Sequence, residues 1–211
     1  MQSRLEKIIE DKDLVKKIQE KLPSMFTRAE RYAMRGGKVG MEVGKIRERP
    51  IIALLIYKFG KENVDGDLSD AEKEIDVKLF GKPISIKTIS NQTLSGIKAV
   101  WTVDRESCVK FVESYKSSSD MILVQILWNN VGKIFLIPLE VQNEVINEIG
   151  IERYLDLPKE GTNPRGVTFS REGMSQITEH TKTKSIDITW KRPDTLDFDP
   201  YAEWFEYWTE N

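Results

Sequence analysis

The chain has 211 residues, enough for one substantial core with at most a small appended subdomain. Hydrophobic content of 39% and charged content of 31% exclude wholesale disorder. A single cysteine, Cys108, excludes an intrachain disulfide, and with His180 as the lone histidine a structural zinc site and Cys–His catalysis are both disfavoured. The first residues carry charges where an export signal needs an apolar run. The longest apolar stretches, 50–57 and 121–128, are too short to span a bilayer. A cytoplasmic, intracellular protein with no membrane partner is expected.

Net charge is -2 and the pI about 5.7, but the distribution is uneven. Seven Lys/Arg and three Glu fall between Arg28 and Arg49, and four Lys/Arg and one Asp between Lys182 and Arg192. Six acids and no Lys/Arg lie between Asp194 and Asn211. The acidic tail hides basic surface elsewhere.

In chain order, apolar spacing predicts a helix over 3–22, which Pro23 ends or passes to a second over 25–34. Four glycines between Gly36 and Gly44 predict a loop, and neither a phosphate-binding loop nor a dinucleotide fingerprint fits it. A mostly apolar helix over 46–59 follows, with Pro50 suited to its first turn and Glu48 at or before that turn. Strands are predicted over 74–79 and 84–89, turned by Gly81–Lys82–Pro83, then a polar connection over 90–95. A helix over 103–115, strands over 121–128 and 133–138 and a helix over 140–149 come next. After a polar loop over 157–165, a short strand at 166–170, a helix or turn at 173–180 and a strand at 185–191 complete the pattern. This order reads as an α/β fold, a mixed four- to five-stranded central sheet flanked by helices. The expected organisation is an N-terminal helical, glycine-rich region over 1–45 and an α/β core over 46–211.

The chemistry concentrates in the first hairpin. Alternation puts Ser85 and Lys87 on one face of the second strand, with Asp76 on the first. A lysine on a half-buried strand needs a partner or a task, because a desolvated ammonium is costly. Asp76 can be that partner in a plain ion pair. The same pair can hold Mg²⁺ beside a scissile phosphate, since Mg²⁺ takes oxygen ligands and keeps several waters. Lys87 would then orient water or offset phosphate charge.

This arrangement resembles the PD-(D/E)XK nuclease superfamily, and the chain layout resembles type II restriction endonucleases over roughly 46–140. That resemblance implies a helix-borne Glu (Glu48), an Asp on the first hairpin strand (Asp76) and an acid-x-Lys on the second. Glu48 and Asp76 would hold the metal and Lys87 matches the lysine. Ser85 departs from the pattern. Members with Ser-x-Lys recruit the acid from the following helix, which points to Glu106, with Asp104 and Glu113 behind it. A narrower likeness, to a small enzyme of this group that cuts CG/CG to blunt ends, implies methionines inserting at CpG steps.

Met34 and Met41 flank the glycine-rich loop that also holds Arg35 and Lys38, and an unbranched thioether can wedge into an opened base step. They can equally fill gaps between helices. Ser90, Asn91 and Gln92 could touch a phosphate backbone. Asn163, Arg165, Thr168, Ser170 and Arg171 form the expected base-reading loop, and Lys182 and Lys184 the phosphate contacts. A palindromic duplex implies a homodimer, and a restriction enzyme implies a cognate DNA methyltransferase in the host. A structure-selective junction or repair nuclease and a catalytically inactive duplex-binding module are the competing readings. Salt-insensitive behaviour toward DNA would leave only an interaction protein unrelated to nucleic acid.

Overall fold

The structure, a computed structural model, describes residues 4–35, 38–39, 43–66, 75–160, 165–194, 197–199 and 201–209. The elements run α1 (Glu6–Glu10), α2 (Lys12–Tyr32), β1 (Met34–Arg35), β2 (Lys38–Val39), α3 (Val43–Phe59), β3 (Val64–Asp65), β4 (Val77–Leu79), β5 (Lys82–Ile89) and β6 (Lys98–Val100). Then come α4 (Arg105–Ser114), β7 (Asp120–Gln125), β8 (Asn130–Ile137), α5 (Leu139–Ile149), α6 (Ile151–Tyr154), β9 (Leu155–Asp156), β10 (Val167–Phe169), α7 (Arg171–Glu179), β11 (Lys184–Trp190) and α8 (Ala202–Thr209).

A six-stranded mixed sheet in the order β11-β8-β7-β5-β4-β3 forms the centre, one strand wider than the widest sheet the sequence predicts. The extra strand is β3, only two residues long, which carries too little periodicity to be read. Strand β5 runs parallel to β7 and antiparallel to β4. Alternation along β5 divides the molecule into two apolar layers. Ile84 and Ile86 join Ile122 and Val124 beneath α1, α2 and α3. On the opposite face Met121, Leu123, Phe135 and Ile137 pack against α4, α5 and α7. Leu14, Ile18, Leu22 and Phe26 of α2 share the first layer with the sheet, so the N-terminal helices are built into the core. Helix α3 runs across residues 45 and 46.

The N-terminal helix breaks earlier than predicted. Asp11 caps α2 by accepting from the Leu14 amide, and no break occurs at Pro23. Instead Pro23 lies inside α2, where the Thr27 hydroxyl donates to its carbonyl. Pro50 likewise lies inside α3, which begins at Val43, so Glu48 falls past the opening turn. The glycine-rich stretch read as loop contains the β1–β2 pairing, Met34 opposite Val39 and Arg35 opposite Lys38. Residues 36–37 and 40–42, including Met41, lie outside the described residues.

The β4–β5 hairpin turns at Phe80–Gly81, one residue earlier than expected. Both have positive φ, 51° and 74°, the two-residue turn whose twist suits paired strands. Pro83 accordingly sits within β5, opposite Lys78 and just before pairing with β7 begins at Ile84. Strands β6 and β9, too short to show a period, join β10 in a second sheet ordered β6-β10-β9.

One buried carboxylate ties these layers together. Glu30 of α2 accepts from Arg47 of α3, from Arg192 at 2.6 Å and from the Trp128 indole at 3.1 Å. The Arg192 guanidinium also lies 3.9 Å from the Trp128 ring centroid. Removing the carboxylate leaves the buried Arg47 guanidinium without compensation. Glu30→Ala is expected to lower unfolding free energy by about 3–5 kcal/mol, the cost of breaking a buried pair from one side. Denaturant titration checks this, and a loss below ~1 kcal/mol would show that the cluster is not holding the layers.

Candidate active site

Asp76 does not lie in β4, as predicted, but in the bend immediately before it. The β4–β5 ladder pairs Val77 with Ile84, which sets Asp76 opposite Ser85. The Asp76 amide donates to the Ile84 carbonyl at 3.0 Å, fixing the backbone. Its Oδ2 accepts from the Ile86 amide at 2.6 Å and the Ser85 hydroxyl at 3.2 Å. Two donors on one oxygen hold the carboxylate plane and leave Oδ1 outside those bonds. Ser85, itself buried, thus serves as an orienting donor where a second acid was expected.

Glu48 reaches the same site from α3. Burial pushes its carboxyl up to about 7, the Asp76 carboxylate pushes the same way, and Lys87, then Lys45, oppose them. Glu48, Asp76 and Lys87 therefore share one electrostatic environment. Lys87 and Ser85 also line a small cavity with Ala99, Met121, Gln142 and Phe169. Two carboxylates that repel one another, one with a free oxygen, suit a hard divalent cation. Among the described residues no third acid, histidine or cysteine completes a protein-only cage. Such a cation would draw its remaining ligands from water and substrate, as Mg²⁺-type sites do.

Glu106, the expected substitute acid, lies elsewhere in its contacts. It pairs with Lys110 at 2.7 Å on the exposed face of α4, and its amide donates to the Asp104 cap. Asp104 is spent on that cap, with Glu106 and Ser107 donors holding its carboxyl below the usual range. Ser90, Asn91 and Gln92 are exposed in the loop after β5. Gln125 holds that loop by donating to the Asn91 and Gln92 carbonyls at 3.2 and 3.1 Å.

The predicted base-reading cluster is only partly assembled. Arg165 and Arg171 are exposed, and Thr168 is half-buried in β10. Ser170 is not available to a base: buried, it caps α7 by accepting from the Gly173 amide at 2.8 Å and donates to the Arg153 carbonyl. Lys182 is committed to Glu140 and Glu144 rather than free for phosphate. Lys184 is exposed at the start of β11, on the edge of the sheet away from β4. Met34 is 45% exposed. The side chains of Arg35 and Lys38, and all of Asn163, lie outside the described residues. Sequence reasoning missed the β6–β10 pairing, which brings Lys98 opposite Thr168. The apolar alternation of so short a strand carries no signal.

A mixed sheet flanked by helices, with an Asp-bearing hairpin, a Ser-x-Lys strand and a helix-borne Glu, defines a PD-(D/E)XK restriction endonuclease. The family model described as "Restriction endonuclease ThaI" matches residues 8–210. The chain belongs to the ThaI restriction endonuclease family. It is similar to a solved structure described as "Restriction endonuclease in complex with substrate DNA", at 45% identity and TM-score 0.91, covering 99% of this chain and 100% of that one. No curated protein matches it. The chain is thus a type II, sequence-specific endonuclease of double-stranded DNA that depends on a divalent metal.

Two expectations follow from this geometry. Ser85→Ala removes one of the two donors on Asp76 Oδ2 and is expected to weaken divalent-cation binding about tenfold with folding intact. Calorimetric titration of the DNA-free protein reads this directly, and unchanged affinity would remove the orienting role. For Glu48 the folded pKa lies above the ordinary 4.5, so the folded protein holds the extra proton between about 4.5 and 7. Stability therefore falls as pH rises through that window. Glu48→Gln is expected to melt higher than the parent above pH 7 and alongside it below pH 4.5, in chelator. Parallel melting curves at all pH values would contradict this.

Proposed function

We propose that this endonuclease hydrolyses both strands of a short palindromic GC-rich site, CG/CG, as a Mg²⁺-dependent homodimer. The observation that carries the catalytic assignment is the Asp76 carboxylate pinned from β5, with Glu48 coupled to both Asp76 and Lys87. Asp76 Oδ1 and Glu48 would hold the ion. Bound Mg²⁺ would lower the pKa of a water and offset charge on the phosphate in flight. Lys87 would orient the attacking water and neutralise the phosphate. Ser85 would keep the Asp76 carboxylate in plane. Attack is by water, in line, with no covalent intermediate.

The N-terminal region over 1–45 is proposed to contact DNA, with Met34 and Met41 as wedges at CpG steps. The exposure of Met34 supports that role. Asn163, Thr168 and Arg171 are proposed as base or groove contacts, Arg165 as a DNA contact beside them, with Ser90, Asn91, Gln92, Arg35, Lys38 and Lys184 near phosphates. The homodimer draws support from α8, where Phe205 and Trp208 are 67% and 89% exposed in the single chain. The proposal places the protein in a prokaryotic cytoplasm beside a methyltransferase that protects host sites. No helix among the described residues is long and apolar enough to cross a membrane.

Plasmid incubation with Mg²⁺ and sequencing of the ends tests the reading. Discrete fragments with one shared sequence at blunt ends are expected. A smear would favour the structure-selective nuclease, and uncut plasmid the inactive binding module. Asp76→Ala and Lys87→Ala are each expected to abolish cleavage while duplex binding persists, and normal turnover by either would remove its assigned role.

A further inference from the structure

The small sheet beside the catalytic strand carries an uncompensated pair of cations. Pairing of β10 with β6 sets Thr168 opposite Lys98. Gly166, at φ +87°, lets the chain pass so close to β6 that an added Cβ would lie 1.9 Å from the Val100 carbonyl. This close approach, with the same Cβ 2.9 Å from the Trp101 Cα, sets neighbouring Arg165 beside Trp101, the residue whose ring the Lys98 ammonium approaches. Burial first, and then Arg165, hold the Lys98 ammonium below its usual range, partly opposed by Cys108. Among the described residues no carboxylate forms an ion pair with either cation. The adjoining residues 161–164 include no acid in sequence. Two like charges kept together without a counterion call for an anion.

An aromatic ring completes the patch. Trp101 is 58% exposed, and the Lys98 ammonium lies 5.9 Å from its ring centroid. The patch adjoins the chemistry: Ala99 and Phe169, from the same two strands, line the cavity that contains Ser85 and Lys87. Alternation along β6 turns Lys98 to the side opposite Ala99. We infer that Lys98, Arg165 and Trp101 form a contact for the duplex flanking the site, on the outer face of the small sheet. The two cations seat a neighbouring phosphodiester, and the indole face stacks on an adjoining sugar or base. This assignment deepens the proposed nuclease reading and rests on it.

The test is duplex affinity as a function of salt, measured with Ca²⁺ in place of Mg²⁺. Lys98→Gln and Arg165→Gln are each expected to lower the magnitude of the slope of log K against log[salt] by about 1. Trp101→Ala is expected to weaken binding about tenfold without changing the slope. Lys98→Arg should restore the slope. An unchanged slope in the Lys98→Gln/Arg165→Gln double variant, with unfolding as in the parent, overturns the inference while parental cleavage stands. A double variant that keeps its slope but loses self-association also overturns it, by assigning the patch to a second copy of the chain. Failure of the parent to cut DNA would instead remove the nuclease reading itself.

Discussion

Desolvation of a single acid sets the architecture. Glu30 is buried, and a carboxylate survives there only because a neighbouring helix, the chain after β11 and the β7–β8 connection each bring it a donor. That demand fixes the rotation of α3, since Arg47 must face inward. The next residue is Glu48, so the packing requirement of one acid dictates where another meets the hairpin. The placement of Glu48 beside the hairpin is thus inherited from the core rather than assembled by loops.

Within the site, the division of labour follows from how many donors each oxygen receives. The family pattern expects an acid on the second strand. Here that position carries a hydroxyl, which cannot act as a carboxylate would but donates to the Asp76 carboxylate and steers it. With a single fully oriented aspartate, the second negative charge must come from α3. Glu48 is placed to supply it, and there burial first and then proximity to Asp76 make its ionised form costly. The lysine is the only one of these groups whose charge already favours the arrangement.

Much of this was legible in the residues. The strand pair carrying Asp76 and Lys87 shows in period-two alternation, and a helix-borne Glu48 shows in the apolar run after it. The displaced boundaries have local causes. Pro23 and Pro50 read as helix edges, yet both are accommodated inside helices, Pro23 beside a back-bonding threonine. Asp11 sits within one continuous helical pattern, and only its side-chain bond from the Leu14 amide marks it as a cap. Glu106 satisfied the spacing for a substitute acid, but its nearest cation, Lys110, is one turn along the same helix. Ser170 and Lys182 have the chemistry to touch DNA and are occupied by Gly173 and by Glu140 and Glu144, facts no spacing reveals. Two- and three-residue strands such as β3, β6 and β9 exist only through their neighbours.

The grip of Gln125 on the loop after β5 has a consequence for how this enzyme can change. It holds the Asn91 and Gln92 carbonyls, groups that every amino acid presents. Side chains along that loop can therefore be exchanged by mutation while its path is conserved. A lineage could retune what the loop touches without first having to reinvent its shape.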